Sequence, residues 1–231
     1  MHKAISNTTA ILVFAASSHE EGKRKTIPQS QLLFKKLNQH ALTTVKKTKL
    51  PYYHFNETQQ EGDNFGERFS NALKAIFDLG YENLISLGND TPHLTTSHIH
   101  TALQSLDDQK FVLGPSSDGG FYLMGIHKSL FNLEKFKQFA WQTDTLAKDI
   151  SHWISGFEIE EVKLQQLSDL DHYQDVIRIL RSSIYLPKHI LKLLLNLSTL
   201  MQQVYKNIEA IVINYFSNTL FNKGSPYHYS F

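Results

Sequence analysis

The sequence predicts an α/β protein with three layers, αβα, around a mostly parallel sheet, and three observations support this fold class. Residues 10–15 (AILVFA) form a continuous apolar run, which is typical of a strand buried on both faces. Two further apolar runs, at residues 84–87 and 111–113, each end in glycine and an acidic loop. The segment between them has helical spacing of its apolar residues, Ile99, Ala102, Leu103 and Leu106. Strands that alternate with helices in this way build a sheet with helices on both faces.

The other elements of the predicted domain follow from the same patterns. Helical spacing predicts further helices over residues 31–42, 65–79, 144–154 and 173–180. Short apolar or alternating runs predict strands at residues 50–55 and 157–162. The polar residues 17–26 are expected to form a loop after the first strand.

The C-terminal part of the chain differs from the rest. From residue 184 on, apolar residues recur at steps of three or four, which predicts one long amphipathic helix or two shorter ones. We therefore expect a domain over residues 1–180 and a helical C-terminal extension over residues 181–231. The extension is expected to dock on the core or to form a homo-oligomer. Lys188, Lys192 and Lys206 leave a helix on a membrane surface as the alternative.

Composition excludes several classes of protein. The 231 residues include no cysteine, so neither disulfides nor thiolate metal sites are expected. No stretch reaches the about 18 uninterrupted apolar residues of a membrane-spanning helix, and no basic segment like that of a signal peptide precedes the first apolar run. The net charge of +1 and the lack of a basic and aromatic stripe argue against nucleic-acid binding. We expect a cytoplasmic protein.

A carboxylate follows the strand predicted at residues 84–87. Asp90 lies just beyond its end, and Pro92 restricts Thr91 to extended geometry. In open α/β sheets ligands bind outside the carboxyl ends of the strands, and a carboxylate there can hold Mg²⁺ or Mn²⁺ beside substrate phosphates. The alternative is that Asp90 caps the helix that begins near Thr95, or stabilises the turn.

A second acidic loop, Asp118-Gly119-Gly120, follows the strand predicted at residues 111–113. Two glycines after an acid allow the backbone to approach a ligand or to adopt positive φ. The alternative is an ordinary Asp-Gly hairpin turn, although the preceding Gly114-Pro115 disfavours a two-residue hairpin.

Other polar and aromatic residues give weaker signals. His93, His98 and His100 are expected at the surface, because no second cluster of metal ligands accompanies them. Trp141 fits either the core or a stacking surface for a ligand. No Ser-His-Asp arrangement or Walker-type loop stands out.

Several strings together resemble the motifs of one protein family. They are GDNFGER at residues 62–68, LGNDTPHL at 87–94, GPSSDGGFYLMGI at 114–126, WQTD at 141–144 and SDLD at 168–171. They resemble a bacterial family of glycosyltransferase-A-type (GT-A) proteins, which is similar to the molybdenum-cofactor guanylyltransferases and phospholactate guanylyltransferases. The resemblance covers roughly residues 10–180. It implies the GT-A fold and a metal-dependent transfer from a nucleotide-activated donor.

The resemblance also implies roles for individual residues. Asp90 takes the place of the metal-binding acid of the fold, with Mg²⁺ or Mn²⁺ as cofactor, and Asp171 or Asp169 that of the carboxylate completing the site. Asp118 would orient or deprotonate an acceptor hydroxyl. Nucleotide and sugar would be held by Gly22, Lys25, Thr26, Arg68, Gly119 and Gly120.

The first loop departs from the family's K-x-P-x-x-G-x-x-K-T-R-L pattern. The early lysine is absent and Ile27 replaces the later arginine, although Lys23 or Arg24 can reach phosphate from a neighbouring position. The pattern is kept at Gly22, Lys25 and Thr26. The predicted function is a metal-dependent glycosyltransferase that uses a nucleotide-activated sugar donor and an unknown acceptor. The alternatives are a nucleotidyltransferase of the same fold and a degenerate, non-catalytic domain that binds a ligand or partner.

Overall fold

The strands and helices agree with the predicted α/β class. The computed structural model describes residues 8–220, with side chains as far as residue 214. The strands are β1 (Thr9–Phe14), β2 (Tyr52–Phe55), β3 (Asn83–Leu87), β4 (Phe111–Pro115), β5 (Phe121–His127) and β6 (Glu161–Lys163). The helices are α1 (Ser18–Arg24), α2 (Ser30–Lys47), α3 (Phe65–Asp78), α4 (Thr96–Asp107), α5 (Leu133–Gln138), α6 (Leu146–Ser155), α7 (Tyr173–Arg181) and α8 (Lys188–Leu220).

The sheet is parallel except for one strand. Over residues 8–220 the strand order is β2-β1-β3-β5-β4-β6. β1 pairs in parallel with β2 and β3, and β4 with β6, whereas β5 is antiparallel to both β3 and β4. β5 reverses because residues 116–120 join it to β4 as a hairpin. This loop therefore lies at the same edge of the sheet as the carboxyl ends of β1, β3 and β4.

Helices cover both faces of the sheet, which gives the predicted three layers. Successive side chains of β1 alternate between the faces, as in any strand. Ala10 and Leu12 share a buried cluster with α3, α5 and α6. Ile11 and Val13 share the opposite cluster with α2 and α4. Both faces of the strand are apolar for this reason, and the prediction from residues 10–15 is confirmed.

The segment predicted as a polar loop at residues 17–26 instead contains helix α1. Ser17 caps this helix, because its hydroxyl accepts a hydrogen bond from the Glu20 N–H at 3.3 Å. Glu20 lies in the first turn and Lys23 in the last, so both charges interact favourably with the helix dipole. The serine followed three residues later by glutamate was the sequence signal for this start.

The strand expected at residues 157–162 forms only at its end. The N–H of Phe157 donates to the carbonyl of Ile154 at 2.9 Å, so the chain turns after α6 instead of pairing. The side chains of Phe157 and Ile159 pack against the core. β6 therefore pairs with β4 only from Glu161 onward.

The C-terminal segment forms one long helix, α8, as far as the described residues extend. Ile190, Leu194 and Leu197 are buried in a cluster with α2 and α7. From residue 202 to residue 214 the side chains are exposed. Within residues 8–220, no helix combines the length and hydrophobicity that a membrane span requires. The division into residues 1–180 and 181–231 stays a prediction, and residues 221–231 lie outside the described part of the chain.

Candidate active site

A cleft of about 610 Å³ opens at the edge of the sheet where β1, β3 and β4 end. Its walls come from the segments after these strands, from α3 and from the loop before α7. The Asp, Glu, Lys and Arg residues that line it are Glu21, Arg24, Lys25, Arg68, Asp90, Asp118, Asp144, Asp169 and Asp171. The structure therefore brings together the charged residues that the sequence predicted for the site, although they are spread over residues 25–171.

The ammonium of Lys25 links the two carboxylates predicted to bind metal. Its Nζ lies 3.3 Å from Oδ2 of Asp90 and donates a short hydrogen bond to Oδ1 of Asp171. The N–H of Leu170 donates to the carbonyl of Asp90 at 2.9 Å, which joins the loop after β3 to the loop before α7. The carboxylates of Asp90 and Asp171 thus share one cation, the ammonium of Lys25. Asp90 does not cap α4, because Thr95 is the capping residue of that helix.

The electrostatics of Lys25 favour its charged form. Burial by itself lowers the pKa of this ammonium, but the carboxylates of Asp90 and Asp171 outweigh it, and the pKa is raised above its usual value. Only 15% of the Lys25 side chain is exposed. The position between the two carboxylates is therefore one that strongly favours a positive charge.

Asp169 is a partly buried carboxylate of the cleft. Its Oδ1 accepts a short hydrogen bond from the hydroxyl of Thr91. Burial raises its pKa well above the usual range, and the charges of Asp90 and Asp118 raise it further. Asp171, and not Asp169, shares the ammonium of Lys25 with Asp90. Which of the two acids would bind a metal ion stays a prediction.

Glu21 is a buried acid of the cleft that the sequence reasoning missed. It lies in α1, and its pKa is raised to about 6 by burial, which the attraction of Lys25 offsets only in part. The sequence signal that could have found it was the helix start at Ser17. A helix that begins there and packs on the domain buries the residues of one face, and Glu21 lies on that face.

The loop that carries Asp118 is a hairpin of residues 116–120, longer than a two-residue turn. Oδ1 of Asp118 accepts hydrogen bonds from the hydroxyl of Ser116 and from the N–H of Gly120 at 3.0 Å. Gly119 has φ of +93°, and a Cβ there would overlap the backbone of Asp144. Gly119 and Gly120 thus shape the loop that presents Asp118 to the cleft, and their binding roles stay predictions.

Only some of the residues predicted to bind the nucleotide line the cleft. Lys25 and Arg24 line the cleft, as does Arg68 from α3. Gly22 packs in α1 against the start of α2. Thr26 is exposed, and its hydroxyl pairs with Nδ1 of His172 at 2.8 Å. Neither Gly22 nor Thr26 is among the described residues that line the cleft.

An aromatic wall faces the charged side of the cleft. Trp141 lies between Phe65 and Phe121, with ring centroids 5.5 and 6.2 Å away. Its indole N–H donates to the carbonyl of Phe136 at 2.6 Å, which fixes the ring. Trp141 both packs on the core and lines the cleft, so the two interpretations of this residue are compatible.

The surface prediction for the histidines is wrong for His93. Its side chain is buried, and its Nδ1 pairs with the carbonyl of Tyr185 at 3.0 Å. His98 is half-buried and His100 is exposed. In residues 8–220 no group of three or more His, Cys, Asp or Glu side chains is arranged to hold a metal ion.

Comparison with protein families finds a match over residues 23–143. The matching family carries the description "Uncharacterized protein conserved in bacteria (DUF2064)". The matched segment contains Lys25, Arg68, Asp90 and Asp118. The search of curated proteins finds no match.

Comparison with solved structures supports the fold. A "putative nucleotide-diphospho-sugar transferase" from Desulfovibrio desulfuricans G20 is 20% identical, with 85% of this chain and 97% of that chain covered and a TM-score of 0.68. Rv0371C of Mycobacterium tuberculosis H37Rv, in complex with manganese, is 10% identical with coverage of 76% and 99% and a TM-score of 0.44. A cytidylyltransferase from Leptospira borgpetersenii is 14% identical with coverage of 96% and 99% and a TM-score of 0.44. The first of these shows that the chain has the fold of a nucleotide-diphospho-sugar transferase-like protein.

Proposed function

The chain belongs to the conserved bacterial family that matches residues 23–143, and we propose that it transfers a sugar from a nucleotide-activated donor with the help of Mg²⁺ or Mn²⁺. The observation that carries this proposal is that the carboxylates of Asp90 and Asp171 both pair with the ammonium of Lys25. This pairing occurs at the carboxyl ends of the strands, where α/β sheets bind their ligands.

The donor set fits a divalent ion that arrives with its substrate. Mg²⁺ prefers oxygen ligands and is commonly held by one or two carboxylates together with substrate phosphates and water. Asp90 and Asp171 would hold the ion, and its charge would neutralise the leaving diphosphate. A pair of carboxylates is enough for such an ion, because the phosphate oxygens of the substrate supply further ligands.

The other charged residues of the cleft would bind and orient the reactants. Arg24 and Arg68 line the cleft and would contact the diphosphate. Lys25 would exchange its carboxylate partners for phosphate oxygens. Asp118 would accept the proton of an acceptor hydroxyl while that oxygen bonds to the anomeric carbon and the diphosphate leaves with its electron pair. Trp141 offers a ring face for a sugar or base.

A non-catalytic ligand-binding domain is the second candidate. The ammonium of Lys25 already pairs with both Asp90 and Asp171, and Ile27 stands where the related families have an arginine. In such a domain Lys25 would hold the two loops together permanently, and no divalent ion would enter.

Thermal unfolding with metals and nucleotides separates the two candidates. UDP, GDP and CDP are added with and without Mg²⁺ or Mn²⁺, at about 100 times the dissociation constant of the best of them. A bound nucleotide should then raise Tm by about 5 °C or more. The transferase requires this shift to depend on metal and to vanish in Asp90→Asn.

The matched control for Asp90→Asn is Asp78→Asn, which removes an exposed carboxylate of α3 that pairs with Lys74. This variant should keep the full metal-dependent shift. Stabilisation without metal, or none with any nucleotide, would exclude the metal-dependent transferase. Consumption of a nucleoside triphosphate with release of pyrophosphate would instead identify a nucleotidyltransferase.

A further inference from the structure

A second concavity, of about 870 Å³, lies between α2, the start of α4 and the first turns of α8. We call it the basic groove, and its charged rim is formed by Lys36, Lys47, Lys188 and Lys192. It shares no lining residue with the cleft around Asp90. Any ligand in the basic groove would therefore be bound separately from the substrates of the proposed reaction.

The charge of the basic groove is uncompensated within the described part of the chain. No Asp or Glu is among its lining residues. The four rim lysines form none of the ion pairs of residues 8–214, whereas other surface lysines such as Lys74 and Lys110 pair with carboxylates. Several ammonium groups around one concavity repel each other, so a bound anion would stabilise them.

Two histidines join the walls of the basic groove. Nε2 of His40 in α2 pairs with the carbonyl of Leu94 at 2.9 Å. The rings of His40 and His189 lie 5.5 Å apart, centroid to centroid, and connect α2 to α8. Ile190 and Leu194 of α8 are fully buried, so the helix that carries two of the lysines is fixed against the domain. The lysines thus surround a defined space and do not lie along a mobile tail.

Hydroxyl and amide groups complete the lining. Thr43 and Thr96 offer hydroxyls, and Gln39 and Asn196 offer side-chain amides. A phosphate group has several acceptor oxygens and more than one negative charge, so it matches ammonium, amide and hydroxyl donors together. The volume lies within the range of about 300–1,000 Å³ that is typical of small-molecule sites.

We propose that the basic groove binds a phosphorylated ligand at a site distinct from the transferase cleft. The phosphate would lie between the lysines of α2 and those of α8. The same chemistry fits a soluble phosphate compound or the headgroup of an anionic lipid, and the test below separates these sources.

Calorimetric titration with inorganic pyrophosphate, without divalent metal, tests the proposal. The double variant Lys188→Gln/Lys192→Gln should weaken binding on the order of tenfold or more, because it removes two charge-assisted contacts. The matched control is Lys35→Gln/Lys206→Gln, which removes the same charge from exposed positions on the same two helices outside the groove. It should leave the dissociation constant within about twofold.

A third variant separates this site from the cleft. Arg24→Gln/Arg68→Gln removes cations of the cleft and should leave binding in the basic groove intact. Three results of the pyrophosphate titration would overturn the proposal. They are equal weakening of binding by the two lysine double variants, loss of binding only in the arginine variant, and no binding to the wild type.

Vesicles of phosphatidylglycerol, compared with vesicles of phosphatidylcholine, identify the source of the phosphate. Vesicle binding that depends on Lys188 and Lys192 supports a lipid headgroup. Pyrophosphate binding without vesicle binding supports a soluble ligand.

Discussion

The ammonium of Lys25 lies 3.3 Å from the carboxylate of Asp90, so a residue of the first loop holds the loop after β3. The same ammonium also pairs with Asp171, which precedes α7. One side chain therefore connects three segments that are far apart in the sequence. In the proposed reaction Lys25 has to leave this position, since a divalent ion would be held by the same two carboxylates.

Replacing Lys25 should reveal the charge requirement of this position. Lys25→Gln leaves Asp90 and Asp171 without their cation, and we expect the free energy of unfolding to fall by about 2–4 kcal/mol, somewhat less than for a fully buried pair because both acids are partly exposed. Mn²⁺ should restore more stability to this variant than to the wild type, because it can take the vacated position. Denaturant unfolding with and without Mn²⁺ measures both effects.

The control for this change is Lys23→Gln, which removes an exposed lysine of α1 that pairs with Glu20. It should change stability by less than about 0.5 kcal/mol, with no added effect of Mn²⁺. An equal loss in both variants, or a Lys25→Gln protein that Mn²⁺ does not stabilise, would contradict the role given to Lys25.

Glu21 should make stability depend on pH between 4.5 and about 6. Its pKa is raised from 4.5 to about 6 in the folded protein, mainly by burial, so the folded state binds the proton first as pH falls. This group therefore opposes folding above pH 6, and the penalty disappears as pH falls through this window. Glu21→Gln should stabilise the protein by about 2 kcal/mol near pH 8, with the gain vanishing near pH 4.

Unfolding of Glu21→Gln across this pH range, beside Glu20→Gln, measures the effect. Glu20 is partly exposed, and its hydrogen bond from Lys23 lowers its pKa, so its replacement should give no gain at pH 8. A gain from Glu21→Gln that is the same at all pH values would mean that burial of the charge is not its cause.

Gly119 should tolerate no side chain. Gly119→Ala combines a positive φ with a Cβ that would overlap the backbone of Asp144, and we expect a loss of about 3 kcal/mol or more. Gly80 offers a matched control, because its φ is +96° and a Cβ added there would have nothing within 4 Å. Gly80→Ala should cost only about 1 kcal/mol. Similar losses at the two positions would show that the hairpin of residues 116–120 does not pack on the start of α6.

Two adjacent leucines test how α8 docks on the domain. Leu194 is fully buried and Leu195 is 49% exposed. Leu194→Ala should cost about 2–4 kcal/mol, and Leu195→Ala less than about 1 kcal/mol. Equal costs in denaturant unfolding would contradict the packing of α8 on α2 and α7. Sedimentation of the same proteins, which reports their oligomeric state, tests the predicted homo-oligomer separately.

Predictability from sequence followed the strength of local signals. The run at residues 10–15 could be assigned because a strand buried on both faces has no polar positions. The reversal of β5 was invisible, since Phe121 and the residues after it have the pattern of a strand in either direction. The burial of His93 depends on its contact with Tyr185, which is distant in sequence.

The charged part of the site was predictable for a different reason. Asp90 and Asp118 follow strands, and the topology of an α/β sheet brings such positions to one edge. The pairing of Lys25 with both Asp90 and Asp171 depends on side-chain directions in three loops, which no local pattern encodes. Helix α1 was missed although Ser17 and Glu20 have the spacing of a capping box.

The most direct test of the central claim is a crystal structure with Mn²⁺ and a nucleoside diphosphate, read from the anomalous signal of the metal. We expect one Mn²⁺ bound by Asp90 and Asp171, with the ammonium of Lys25 moved onto a phosphate oxygen. A structure in which Lys25 still bridged the two carboxylates, with the metal and nucleotide bound elsewhere or not at all, would contradict this claim.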